Sequence, residues 1–274
     1  MIDRSASKMA RWVGLCALML AASPVLAQGA APASPVPAAK SDWQFTLGAG
    51  MTVSPKYEGS DRLAVGAMPL AEVEWKERLF ISSTRGIGGY IVSTDALKVS
   101  AAVGYAPGRD EKDGKPKSGK VNRLKGLGDI DGSAVVSLGA AYEISMFTAS
   151  LTANRYIGGS DGFTVTAGLG VAYPLTDKLG LGLEVNTTWA DSAYMGDYFG
   201  INAAQSRRSG RKAYKAEAGL KDVGVTLSAT YRLNDSITLM MSGGLSRLLG
   251  DAGSSPVVAD KNQPSAMLGL SYRF

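Results

Sequence analysis

Between Asp42 and Phe274 the chain alternates apolar and small or polar residues, one for one, in stretch after stretch. Phe163, Val165, Ala167, Leu169, Val171 and Tyr173 alternate with Thr164, Thr166, Gly168, Gly170 and Ala172. Leu179, Leu181, Leu183, Val185 and Trp189, and Val223, Val225, Leu227, Ala229 and Tyr231, repeat the pattern further on. A period of two puts one residue set on each face of a β-strand, and no helix can use it. The stretches run about 9 to 13 residues, whereas soluble strands mostly run about 5 to 6 and membrane strands need about 9 to 11. Aromatic residues sit at stretch ends, at Trp43, Trp75, Tyr105, Tyr142, Tyr173, Trp189, Tyr231 and Tyr272, as an interfacial girdle requires. The second faces are mainly Gly, Ser, Thr and Ala, with Glu72, Glu74, Glu184, Arg155 and Arg232 scattered among them. Such faces suit a lumen better than the charged outside of a soluble sandwich.

Hydrocarbon offers no partner to an unpaired backbone edge, so spanning strands must close on themselves. The expected fold is an all-β, transmembrane, antiparallel, up-and-down β-barrel. Crossings are read at 43–51, 63–75, 79–91, 97–106, 131–143, 146–155, 163–173, 179–189, 212–221, 223–233, 236–247 and 266–274, which makes twelve. Short turns at 143–145, 176–178 and 234–236 share one end, and long segments at 107–130, 190–211 and 248–265 share the other. That phase conflicts with 212–221 as a full crossing and with one boundary inside 76–96, so ten strands is the alternative count.

The N-terminus reads as targeting. Arg4, Lys8 and Arg11 precede an apolar run from Trp12 to Ala22, and Val25-Leu26-Ala27 offers small residues before a cut. Residues 1–27 are expected to be a signal peptide, 28–41 an Ala/Pro-rich extended leader, and 42–274 the barrel. Removing that segment takes away three basic and one acidic side chain, leaving 26 basic against 23 acidic. So small an excess gives no case for nucleic acid. There is no His, and Cys16 is the single Cys. His general bases, His-ligated metals, internal disulfides and thiol chemistry of the mature chain are excluded on composition. No cofactor, metal or catalytic residue is expected.

Two motifs resemble penicillin-binding enzymes: Ser209-Gly210-Arg211-Lys212 and Lys117-Ser118-Gly119. Their order is reversed and no Ser-Asp-Asn lies between. Glu72 and Glu74 share one strand face and read as lumenal charges balanced by Arg155 or Arg232. Gly86-Ile87-Gly88-Gly89 opens no helix and is not a nucleotide loop. Two loops carry the candidate contacts. The segment 107–126 holds Arg109, Lys112, Lys115, Lys117, Lys120, Arg123 and Lys125 against Asp110, Glu111 and Asp113. It is either a lipopolysaccharide-facing basic loop or an ordinary solvated one. The segment 190–211 mixes Tyr194, Met195, Tyr198 and Phe199 with Arg207, Arg208 and Arg211, and reads either as a contact surface or as a lumen plug.

Specific words stand out from the alternation. They are Gly48-x-Gly50 with Pro55-x-Tyr57-x-Gly59-Ser60-Asp61, then Tyr194-Met195-Gly196-Asp197-Tyr198-Phe199-Gly200 with Gln205-Ser206 and Tyr214. Leu249-Gly250-Asp251-Ala252 and Ser255-Pro256-Val257 follow, before the terminal Tyr272-Arg273-Phe274. Across essentially the whole mature chain these resemble the MipA/OmpV family of outer-membrane proteins. The alternating Leu268, Leu270, Tyr272 and Phe274 likewise resemble the C-terminal signal read by the barrel-assembly machinery. The resemblance implies an integral protein of the Gram-negative outer membrane, in contact with its lipid and lipopolysaccharide. It also implies a non-enzymatic scaffold for peptidoglycan synthesis and remodelling, joining a lytic murein transglycosylase to a penicillin-binding protein. Other members imply a porin-like channel for small solutes or a surface adhesin.

Overall fold

The computed structural model describes residues 42–115 and 122–274. Twelve antiparallel strands run in sequence order and close on themselves, β1 pairing with both β2 and β12. The strands are β1 (Trp43–Pro55), β2 (Leu63–Trp75), β3 (Leu79–Ser82), β4 (Gly86–Ser93), β5 (Leu97–Ala106) and β6 (Ser133–Ile144). Then come β7 (Phe147–Gly158), β8 (Phe163–Pro174), β9 (Leu179–Ala190), β10 (Gly219–Arg232), β11 (Ile237–Leu248) and β12 (Asn262–Arg273). Among the described residues three short α-helices lie between strands, α1 (Ser192–Phe199), α2 (Ala203–Ser209) and α3 (Gly250–Ser254), with a 3-10 turn at Glu111–Gly114.

The count of twelve stands, but two of the expected crossings differ in the structure. The expected crossing 79–91 is a hairpin, β3 and β4, with Leu79 opposite Gly89 and Ser82 opposite Gly86. Most of the expected crossing 212–221 is loop, tied to Ile201 through an isolated bridge at Tyr214, and its last three residues, from Gly219, already belong to β10. One strand gained and one lost cancel, and with them goes the conflict of phase. Short turns follow β2, β4, β6, β8 and β10 at one end, and long segments follow β5, β9 and β11 at the other. By the rule for such barrels the short turns are periplasmic and the long loops external.

Inside and outside faces obey the alternation. Leu169 is 69% exposed and Leu227 64%, far beyond what a water-soluble protein leaves to solvent for so many large apolar residues together. These side chains form the lipid-facing band. Trp43, Tyr142, Phe147, Tyr173, Tyr231, Tyr272 and Phe274 are all exposed at the periplasmic ends, with Tyr105 and Trp189 at the outer ends. On the inner face Thr148, Asn154, Thr164, Glu184, Asn186, Thr188, Thr226 and Thr230 are buried, making the lumen polar from β7 to β10. Opposite them the lining includes an apolar strip. Met68 of β2 reaches over Gly50, and Leu70 of β2 and Met240 of β11 reach over Gly269. A Cβ at Gly269 would lie 3.2 Å from Leu70 Cδ1, so the absence of a side chain there is what admits this packing.

The inner carboxylates of β2 find a partner other than the expected one. Arg85, in the β3–β4 turn, pairs with Glu72 and Glu74, donates to Tyr90 Oη at 2.8 Å, and lies 4.0 Å over the Phe80 ring. Arg155 instead falls on the outward face of β7 with Phe147, Leu151 and Ile157. A continuous strand through 79–91 hides Arg85; the hairpin turn swings it into the lumen.

Candidate functional site: the folded outer loops

The long loops cover the outer end of the barrel because α1 carries an apolar surface that only the inner strand ends can bury. Asp191 caps the helix by accepting a hydrogen bond from Tyr194 N at 2.8 Å. Tyr194, Met195, Tyr198 and Phe199 are buried in one cluster with Ala106, Val135, Tyr156, Ala190 and Leu248, inward-facing residues near the tops of five strands. Tyr194 stacks on Tyr198 at 4.5 Å between ring centroids and meets Tyr156 at 5.2 Å. The residues expected either to contact a partner or to point into the barrel therefore point inward: Phe199 is fully buried and Tyr194 is 1% exposed.

An ionic group anchors this cluster. Lys221, at a β-bulge in β10, places Nζ 2.5 Å from Glu58 Oε1 and 2.7 Å from Asp222 Oδ2, all three nearly devoid of solvent. Tyr194 Oη donates to the other oxygen of Glu58 at 3.1 Å, and the ammonium lies 5.7 Å from the Tyr194 ring. Glu58 belongs to the β1–β2 loop, so one buried cation ties that loop, α1 and β10 together. None of these ions was picked out in the sequence. The signal was available: Lys221-Asp222 interrupts an alternating strand with two consecutive charges, which only a bulge can turn inward together.

The neighbouring loops are stitched to the same centre. Ser255 Oγ donates to Phe199 O at 2.5 Å, Tyr214 Oη to Asp251 O at 2.8 Å, and Tyr57 Oη to Val257 O at 3.4 Å. Arg109 is a correction to the expected basic surface. It is 5% exposed and donates to Tyr198 O at 2.6 Å and Asp197 O at 3.5 Å, satisfying carbonyls at the C-terminal end of α1. Burial lowers its pKa, opposed by Tyr198, Tyr57 and Glu58. Burial likewise raises the Tyr57 phenol to about 12, with Asp61 adding to the effect. The Asp197 carboxyl is raised, again first by burial, although Ser160 Oγ donates to it at 2.8 Å.

The remaining basic residues are outside. Lys112, Lys115, Arg123 and Lys125 are exposed on the 107–132 loop, and Lys117 and Lys120 lie outside the described residues. Arg207 and Arg208 are exposed on α2, with Arg211 half-buried just beyond it. The two loops meet: Arg208 Nε donates to Gly126 O at 3.3 Å, Arg211 Nη2 to Asn122 O at 3.1 Å, and Gln205 Nε2 to Leu127 O at 2.8 Å. Cations from two loops distant in sequence thus share one outer surface. Ser209 and Lys212 sit on the same surface, and the Lys117-Ser118-Gly119 element lies outside the described residues. Among the described residues no cluster of His, Cys, Asp and Glu is arranged to hold a metal. Leu268, Leu270 and Tyr272 lie on the lipid-facing side of β12, and Phe274, just beyond the strand, is exposed with them at the periplasmic end.

Closed strands, an apolar outer band and folded external loops define an integral β-barrel of the outer membrane. The family model described as MltA-interacting protein MipA matches residues 47–274, and the chain belongs to that family. It is 30% identical over 97 residues to the outer membrane protein YiaT of Escherichia coli (strain K12), a match spanning 35% of this chain and 39% of that one. Among solved structures it is similar to the KdgM porin, at TM-score 0.40 and 8% identity over 84% of this chain and 99% of the porin. The COG4313 outer membrane channel from Pseudomonas putida F1 gives TM-score 0.43 and 12% identity over 88% of this chain and all of the channel. At such scores neither likeness carries an argument about what this chain does.

Proposed function

We propose that this protein is a stoppered, non-enzymatic barrel that works through its surfaces, as an outer-membrane scaffold for enzymes of peptidoglycan synthesis and remodelling. The observation that carries this reading is the filled outer mouth. With Tyr194, Met195 and Phe199 buried against inward residues of five strands, an open aqueous path is a poor account of the resting state. The family description, an MltA-interacting protein, supports a lytic murein transglycosylase as one partner, held at the periplasmic turns, with a penicillin-binding protein as the second. Lys112, Lys115, Arg123 and Lys125, joined by Arg207, Arg208 and Arg211, supply a cationic outer surface matched to lipopolysaccharide phosphates. Leu268, Leu270, Tyr272 and Phe274 serve as the insertion signal for the barrel-assembly machinery.

The test is co-purification of the folded barrel with a lytic murein transglycosylase and a bifunctional penicillin-binding protein from detergent-solubilised envelopes. Retention of both through the barrel supports the scaffold, and failure to retain either refutes it. A channel reading draws support from the Gly-, Ser- and Thr-rich inner faces. Steady single-channel steps from the intact protein in a planar bilayer would favour it.

A further inference from the structure

The barrel wall is incomplete on its outer half. β2 has thirteen residues, yet β3 pairs with only four of them, Glu72–Trp75. β4 pairs with β5 no higher than Val103. Membrane strands need about 9 to 11 residues, so a four-residue β3 cannot reach across the apolar core. Above the β3–β4 turn, β2 and β5 therefore flank a notch two strands wide, roughly 14 Å at the usual inter-strand spacing.

The edge of this notch is finished with care at its base and left open above. Ser83 N donates to Ala71 O at 2.9 Å, Ala71 N donates to Ser83 Oγ at 3.0 Å, and Ser83 Oγ donates to Pro69 O at 2.8 Å. Pro69 has no N–H to leave exposed. Backbone groups alternate sides along an antiparallel strand, so Val65 and Ala67 turn theirs the same way as Ala71, with no strand opposite them. In hydrocarbon such groups demand a polar partner. Outside, the notch opens onto lipid-facing Val65, Ile81, Ile87 and Val103, which are 54–70% exposed. Inside, it opens directly onto Met68 and Leu70, with Met240 beyond them across Gly269. The apolar band thus passes through the wall onto an apolar strip, Met68, Leu70 and Met240, set among the Thr and Ser side chains of the lumen lining.

We infer that the notch is a lateral port, through which a single-chain amphiphile with an uncharged, hydrogen-bonding head slides its acyl chain from the outer leaflet onto Met68, Leu70 and Met240. The head then meets the free edge of β2 at Val65 and Ala67. An uncharged head fits because Arg85, the cation at the foot of the notch, is already held by Glu72, Glu74 and Tyr90. Methionine side chains adapt to a flexible chain better than branched ones do. This port does not depend on the scaffold reading and can fail without it.

The test uses the barrel in liposomes with a monoacylglycerol carrying a diazirine near its chain terminus. After photolysis, adducts are mapped by peptide mass spectrometry. Adducts on inward Met68, Leu70 or Met240, beside those on outward residues such as Leu227, are expected. In Leu70→Glu, lumenal adducts should fall at least tenfold while lipid-facing ones persist. A second variant closes the route: Ala67→Cys/Tyr105→Cys, in a background without Cys16, bridged by a bifunctional maleimide across the notch. Bridging should remove the lumenal adducts. Labelling confined to the outward face, or lumenal labelling that survives bridging, overturns the port.

Discussion

Replacing Lys221 by Met tests whether the folded outer loops are held as described. The substitution keeps the length and apolar stem of the side chain and deletes its charge. Glu58 and Asp222, whose side chains are 4% and 8% exposed, then lose the ammonium that both of them bind. Breaking a buried pair by removing one partner costs about 3–5 kcal/mol. The β10 ladder is held by neighbours on both sides, whereas Glu58 can reach water if its loop and α1 lift away. The penalty should therefore fall on the closed arrangement of the loops. At about 1.4 kcal/mol per decade, it shifts the closed-to-open ratio by roughly two to three and a half orders of magnitude. Open probability in a planar bilayer reads this shift, with gel mobility of the unheated protein confirming that the barrel is intact. The triple variant Glu58→Gln/Lys221→Met/Asp222→Asn carries no stranded charge and should close again. If Lys221→Met barrels are as silent as the parent, the ionic anchor is not what holds the loops down.

Four further outcomes follow from the same structure. Tyr57 keeps its proton better when folded than unfolded, so its contribution is fully present below about pH 10 and lost as pH rises through about 12; the two-unit rise is worth about 3 kcal/mol. Tyrosinate absorbance and loop proteolysis should therefore change together in that window, and loops that open well below pH 10 would contradict it. Phe199→Ala removes a fully buried ring and should destabilise the loop cluster by about 3–5 kcal/mol, seen as faster trypsin cleavage at Arg207 and Arg208 with unchanged barrel mobility. Deleting Phe274 should lower the yield of inserted barrel in cells without changing refolding into detergent, because the outward C-terminal face is read during assembly. Intact mass of the exported protein should begin at Gln28, and retention of residues 1–27 would refute the cleavage site.

Why one part of this fold was legible and another was not comes down to what a period of two records. Alternation fixes which residues share a face, and it predicted the outward Leu169, Leu227 and Leu270 and the inward Thr164 and Thr226. It cannot record a turn that preserves parity. Ile81 and Ile87 both face outward although a three-residue turn separates their strands, so 79–91 reads as one crossing. Conversely, 212–221 contains enough alternation to resemble a strand, but Tyr214 pairs only with Ile201 and its hydroxyl is spent on Asp251. Arg109 looked like its basic neighbours in sequence. Only folding brought the end of α1 over it, and the uncapped carbonyls of Asp197 and Tyr198 drew it inward.

The sequence alone therefore determined the barrel, its two faces and its membrane, because hydrocarbon leaves a β-chain no solution but closure. It also carried the family, through words such as Tyr198-Phe199-Gly200 that barrel physics does not require. What only the tertiary structure decided was every contact between distant segments. The Lys221 anchor joins residues 163 positions apart, and the notch exists because β3 stops after four residues while β2 continues beside it. Both depend on where strand ends fall relative to one another, and that is set by cross-strand register and loop packing rather than by any local pattern.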